Sequence, residues 1–278
     1  MKFEIIKTDK KARAGLITLN ENEVETPTFM PVATRGTIKS TPHEYLDKTS
    51  ILLANAYHLH LRPGAEIINN HGGLHKFMNW DKLILTDSGG FQAWSLPTKL
   101  YEDGIEFKNV YDGSYFKLTP QDSIKTQNLL GSDIAMIFDC LIGVDKPDKE
   151  QKKAIEITKQ WATIAKDTHD NPSQNLFGIV QGGLNLDLRA ESAESMINLN
   201  FDGYAIGGLA IGESQLERKS VVELLSEILP INKPRYVMGL GDTVGLIDLI
   251  DSGVDMFDCV WPARLARHGK LIIKNEYI

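Results

Sequence analysis

LFGIVQGGLNLDLRAESAESMINLNFDGYAIGGL, residues 176–209, holds two apolar runs with a helix-like segment between them. The runs, 176–182 and 203–209, are nearly continuous in apolar residues and end in glycine and a polar or small residue. Continuous rather than alternating apolar character suits strands covered on both faces, as in a parallel sheet. Residues 186–199 between them supply the crossover helix that parallel strands need.

Working outward, the same unit recurs. The other runs are 28–34 (TFMPVAT), 51–59 (ILLANAYHL), 83–87 (LILTD), 133–139 (DIAMIFD), 235–241 (RYVMGLG) and 256–260 (MFDCV). Thr41-Pro42-His43-Glu44 reads as a capping box that opens a helix, and Thr119-Pro120 as a second helix start. Residues 148–167 carry Ala154, Ile155, Ile157, Trp161 and Ile164 at near-helical spacing, and 213–229 and 242–251 continue the pattern. Eight alternations of β and α predict a single (β/α)8 barrel of the TIM type spanning 1–278, with no plain helix after the eighth strand. Two parts lie outside the repeat. The N-terminal FEIIKTD and AGLITL predict a small antiparallel β cap, and 105–118, alternating around Asp112-Gly113, predicts a hairpin inserted after the third strand.

The 278 residues are 42% hydrophobic, enough for one large core, and no stretch reaches the roughly 18 apolar residues of a membrane helix. With no apolar signal segment at the N-terminus, a soluble cytoplasmic protein is the expectation. Cys140 and Cys259 stand too far apart in sequence for a disulfide framework or a zinc cluster, so reduced thiols are expected. A net charge of −7 argues against broad electrostatic attraction to nucleic acid. A local basic patch nevertheless gathers near the C-terminus, where Arg264, Arg267, Lys270 and Lys274 face only Asp258 and Glu276.

In such barrels the chemistry sits at the C-terminal ends of the strands. Asn55, His58, Asp87, Asp139, Gln181, Gly207, Gly208 and Asp258 fall there. Converging carboxylates serve as nucleophile, general acid or base, or substrate anchor, and equally as ligands of a divalent metal. A strand-end aspartate also caps helices. The pairs Gly89-Gly90, Gly182-Gly183 and Gly207-Gly208 permit tight turns or let a flat ligand approach the backbone. His58 and His60 fit loop hydrogen bonding as well as ligand contact, and Met238 fits the core as well as a stacking surface. Position alone thus gives an acidic, glycine-rich mouth and no reaction.

The motifs narrow the choice. Asp87-Ser88-Gly89-Gly90-Phe91-Gln92 resembles the D-S-G-G-F/Y-Q signature of the tRNA-guanine transglycosylases, the queuine tRNA-ribosyltransferase family in its bacterial form. Gln181-Gly182-Gly183 looks like its base-recognition loop, and Tyr204 to Leu209 with Gly212-Glu213 is similar to its G-Y-A-I/V-G-G-L…G-E stretch. Asp255 to Val260, followed by Pro262, Arg264, Ala266, Arg267 and Gly269, resembles the D-M-F-D-C-V…P-T-R-x-x-R-x-G block. Asn55 to Leu59 and Leu61-Arg62-Pro63-Gly64 match N-T-Y/F-H-L…L-R-P-G. The likeness runs from about residue 13 to 270.

That resemblance implies an enzyme that exchanges the wobble guanine of G-U-N anticodons for a 7-deazaguanine, 7-aminomethyl-7-deazaguanine or queuine, in queuosine biosynthesis. It implies Asp258 as nucleophile, forming a covalent aspartyl-ribose intermediate, and Asp87 as general acid and base. Asp139, Gln181, the Gly208 backbone and the Leu209 carbonyl would bind the base, with Phe91 and Met238 sandwiching it. Arg264 and Arg267 would touch the tRNA anticodon loop. Family members carry a structural zinc on three cysteines and a histidine after the eighth strand; neither Cys140 nor Cys259 matches those ligands, so no zinc or other cofactor is expected here, and a homodimer is left open. Asp139-Cys140-Leu141 replaces the usual D-E-C, which leaves base choice open, and Ala263 stands where threonine is usual. Three other readings compete: a non-catalytic accessory subunit, a DNA 7-deazaguanine transglycosylase and a metal-dependent hydrolase. Retention of both Asp87 and Asp258 disfavours the first, and the lack of an H-x-H ligand set disfavours the last.

Overall fold

A computed structural model describes residues 1–96, 98–273 and 276–277. Lys274 of the C-terminal basic patch lies outside the described residues, and so does the side chain of Glu276.

Eight parallel strands close into a barrel in chain order: Thr28–Ala33, Ile51–Asn55, Leu83–Asp87, Ile134–Met136, Asn175–Val180, Gly203–Ile206, Arg235–Val237 and Met256–Cys259. Closure pairs the eighth strand with the first, Met256 beside Thr28 through Cys259 beside Pro31. Every residue of Ile51–Asn55 and of Asn175–Val180 is buried, which is why these strands read as unbroken apolar runs.

Helices Asp148–Thr168, Leu186–Asn198, Gln215–Ile228 and Thr243–Asp251 cover the later strands as expected. Pro120–Leu130 opens with Thr119 and Asp122 in a reciprocal capping box. The box expected at Thr41 does not form. Pro42 occupies the cap position with no side-chain bond, and only a single turn, His43–Tyr45, follows it. Tyr45 is 75% exposed and no residue of that turn is buried, so no apolar face extends it. The reverse error lies at the far end. A seven-residue helix, Trp261–Arg267, does follow the eighth strand, with Pro262 in its first turn and Arg264 and Arg267 in its last. It buries nothing, so hydrophobic periodicity gave it no signal.

Both decorations are present and each has one more strand than the sequence suggested. The N-terminal sheet comprises Lys2–Asp9, Ala12–Leu19 and Asn22–Thr26; the insertion comprises Thr98–Tyr101, Gly104–Lys108 and Tyr115–Leu118. The inner face of the insertion buries Ile105, Phe107 and Leu118 against Tyr57, Phe138 and Trp161. The N-terminal sheet is tied to the floor of the barrel. Arg13 Nε donates to Asp255 Oδ1 at 2.8 Å, and its Nη1 and Nη2 donate to the carbonyls of Ile231 and Lys233 at 2.9 Å. Both partners are buried, and Asp255 accepts a further bond from the Arg235 amide at 2.6 Å.

Candidate active site

Two polar clusters occupy the mouth. The first joins the third and eighth strands. Asp87, the last residue of its strand, accepts from Asn55 Nδ2 at 2.5 Å and from the Ala56 amide at 3.1 Å. Asn55 is bound at both ends, because its Oδ1 caps helix Ala56–Leu61 through the His58 amide at 2.9 Å. Asp258 accepts at Oδ1 from Tyr236 Oη at 2.5 Å and from the Gly239 amide at 2.8 Å. Burial pushes Asp87 up to about 7, aided by the negative charge of Asp258, and the donors from Ala56 and Asn55 oppose that rise. Burial raises Asp258 as well, while Tyr236 and Gly239 pull it back toward the anion. Tyr236 itself is held well above an ordinary phenol by burial and by both carboxylates, so it serves as a donor and not as a base.

The second cluster joins the loops after the third, fourth, fifth and sixth strands. Asp139 accepts from Gln181 Nε2 at 2.5 Å. Burial raises its carboxyl to about 6 against that hydrogen bond. A Cβ on Gly90 would lie 2.2 Å from Asp139 Oδ1, and one on Gly208 would lie 2.5 Å from Gln181 Oε1. The glycine pairs therefore make room for the polar side chains of neighbouring strands, in addition to any turn geometry. Gly208 also takes φ +67, a conformation that favours glycine.

Two supporting residues were not singled out from the sequence. Arg189 is fully buried, with Nε on the Gly183 carbonyl at 2.8 Å and Nη1 on the carbonyls of Val180 and Gly207 at 2.9 and 2.8 Å. Burial lowers its guanidinium to about 9. It thus braces the two glycine loops against each other. The signal was available: Arg189 falls on the buried face of its helix with Leu188, Ser192, Ala193 and Met196, and a charge on such a face requires partners. Tyr236 is the other, hidden inside a strand that reads as plain core. Glu213, quoted only as part of a motif, accepts from the amides of Ala210 at 2.6 Å and Ile211 at 3.1 Å, fixing the backbone just after Leu209.

The remaining expected residues surround these clusters. Phe91 is 51% exposed beside Gly90, Met238 is half-buried against the main core, and Leu209 is buried. Arg264 and Arg267 are exposed on the helix after the eighth strand, and the charge of Arg264 is felt at Cys259. His60 bonds Thr126 Oγ1 at 2.9 Å, which favours its loop role. Both cysteines are free thiols, and burial pushes Cys140 up to about 12, which leaves it inert. Among the described residues no three His, Cys, Asp or Glu side chains gather to hold a metal ion. Cys140, in the loop after the fourth strand, and Cys259, at the end of the eighth, do not match a site of three cysteines and a histidine. No helix among the described residues is long and apolar enough to cross a membrane.

A sequence profile of the family described as queuine tRNA-ribosyltransferase matches residues 8–278. The chain belongs to the queuine tRNA-ribosyltransferase family. It is 47% identical over 283 residues to the queuine tRNA-ribosyltransferase of Pseudoalteromonas translucida, covering 100% of this chain and 75% of the relative. Those of Thermoanaerobacter pseudethanolicus and Listeria monocytogenes are each 47% identical over 289 residues, covering 99% of this chain and 77% and 76% of the relatives. As a queuine tRNA-ribosyltransferase family member, the chain is a pentosyltransferase built on a parallel barrel.

Proposed function

We propose that this chain replaces the wobble guanine of G-U-N tRNA anticodons with a 7-deazaguanine, through a covalent ribosyl ester on Asp258. The observation that carries the reading is the pair Asp87 and Asp258, two carboxylates at one mouth in unlike surroundings. Environments that separate two acids assign them different roles. Asp258, held toward the anion by Tyr236 and Gly239, attacks the anomeric carbon. The glycosidic bond breaks, its electron pair leaves with guanine, and the proton that neutralises the leaving ring nitrogen comes from Asp87. An incoming base then loses its ring proton to Asp87, attacks the same carbon and displaces the Asp258 carboxylate. The tether keeps the RNA in place while the bases exchange.

Asp139 accepts from the ring N–H and exocyclic amine of the guanine edge. Gln181 and the Gly208 amide donate to the base carbonyl, Leu209 offers its carbonyl to an aminomethyl group, and Phe91 and Met238 enclose the base. Binding between a carboxylate and two donors rejects adenine, which would leave the acid unpaired. The target base leaves its stack to enter the mouth, and Arg264 and Arg267 contact the anticodon loop around it.

The test is incubation with radiolabelled guanine and an unmodified G-U-N tRNA, with a DNA stem-loop of the same sequence in parallel. Label entering the tRNA is expected. Label entering only DNA, or neither polymer, overturns the reading. Asp258→Asn should abolish incorporation while guanine still binds; near-normal turnover would remove Asp258 from the nucleophile's role.

A further inference from the structure

Away from both clusters, three rim loops converge on one aromatic ring. Arg35, in the loop after the first strand, lies with its guanidinium carbon 5.4 Å from the Tyr111 ring centroid. Arg62, past the second strand, lies 5.5 Å from the same centroid. Tyr111 belongs to the hairpin inserted after the third strand. Both separations fall within the range of a cation–π contact. The hairpin tip is locally fixed: the Tyr111 amide donates to Asn109 Oδ1 at 2.9 Å, and the Gly113 amide to the Asn109 carbonyl at 2.9 Å. Asp112, the nearest acid in sequence, is already engaged by the amide and hydroxyl of Ser114 at 2.9 and 2.7 Å.

Arg35, Arg62 and Tyr111 are all exposed. Neither arginine belongs to an ion pair among the described residues. In a chain with 37 acidic and 30 basic residues, two exposed guanidiniums gathered on one ring without a carboxylate stand out. Their place in the barrel gives them a direction. The eighth strand pairs with the first, and the first with the second. Arg264 and Arg267 after the eighth strand, Arg35 after the first and Arg62 after the second therefore follow one another around the rim. The arc begins beside Asp258 and ends next to the third strand, which carries Asp87.

We propose that Arg35 and Arg62, gathered over Tyr111, form a phosphate-binding ridge that seats the RNA backbone on the side of the mouth formed by the first and second strands. This rests on the tRNA reading above and extends the RNA contact beyond Arg264 and Arg267. A guanidinium presents a planar fork of donors that matches phosphate oxygens, and stacking on the phenol ring orients that fork before RNA arrives. Contacts of this kind position the polymer without reading its bases.

The experiment compares wild type with Arg35→Ala/Arg62→Ala for guanine exchange into full-length tRNA across a series of KCl concentrations. The double variant should raise the KM for tRNA by about tenfold or more, with kcat within about twofold and guanine affinity unchanged. Each lost phosphate contact lowers the slope of log affinity against log salt by nearly one, so the slope should fall by about 2. Arg35→Lys/Arg62→Lys should recover the slope and only part of the KM, because charge returns without the fork. An unchanged KM and salt slope in the alanine variant, with exchange proceeding, would overturn the ridge. If wild type exchanges no base at all, the function proposed above fails instead. Binding of the tRNA to wild type and to the alanine variant then decides the ridge: weaker binding by the variant supports it and equal binding removes it.

Discussion

Asn55 holds Asp87 with its amide nitrogen, at 2.5 Å, and caps the following helix with its amide oxygen. The bond favours the charged form of an acid that burial lifts to about 7. If Asp87 delivers a proton to departing guanine, kcat/KM should fall as pH rises through about 7. It should rise through about 6 as Asp139 ionises to receive the base edge. Asn55→Ser keeps a capping oxygen but is too short to reach Asp87. Its alkaline limb should move to higher pH, and a pH–rate profile with the limb unmoved would sever Asn55 from the tuning of Asp87.

Asp87 should also cost stability in a pH-dependent way. Its folded value of about 7 stands above the ordinary carboxylate value of 3.8, so the folded state binds the proton more tightly than the unfolded chain. The penalty is absent below about 4 and complete above about 7. Asp87→Asn should therefore raise Tm at pH 8 and leave it nearly unchanged at pH 4. The gain at pH 8 is on the order of 2–4 kcal/mol, since each tenfold difference in proton affinity between the folded and unfolded chain corresponds to about 1.4 kcal/mol. Equal Tm differences at the two pH values would contradict this.

Gly90 borders Asp139 so closely that an added Cβ would meet Oδ1 at 2.2 Å. Gly90→Ala must displace the carboxylate from its bond to Gln181 or shift the helix start. We expect guanine affinity to fall at least tenfold by calorimetric titration, with the fold retained by circular dichroism. Wild-type affinity would show that the carboxylate has freedom the packing denies it.

The Arg13–Asp255 pair closes the opposite end of the barrel, and removing one partner strands a buried charge. Arg13→Met should lower unfolding free energy by about 3–5 kcal/mol in urea titrations. Because the pair lies at the floor, kcat per folded molecule should change little. A large loss of kcat with stability intact would place Arg13 in the chemistry.

The barrel was legible because its buried strands are apolar on both faces, and because Asp87 and Asp139 close such runs while Asp258 interrupts the last one. What escaped has physical causes. The helix Trp261–Arg267 buries nothing and so has no apolar stripe to read. The strand Thr98–Tyr101 is largely exposed on an edge and too short to show a period. Tyr236 and Arg189 act through hydroxyl and guanidinium groups whose acceptors lie 22 and as many as 19 residues away in sequence, and a one-dimensional pattern cannot display such pairings. The glycine pairs were legible as special positions, but that Gly90 and Gly208 yield space to Asp139 and Gln181 depends on which strands become neighbours.

Barrel closure places the residue proposed as nucleophile on the last barrel strand to be synthesised, three positions after the Asp255 that clasps Arg13. A growing chain thus acquires Asn55, Asp87, Asp139 and Gln181 before Asp258. Until Met256–Cys259 inserts beside Thr28–Ala33, a partly built chain holds the groups proposed to recognise a base and lacks the carboxylate proposed to break the glycosidic bond. On the roles proposed above, the strand that completes the barrel wall is also the one that arms the site.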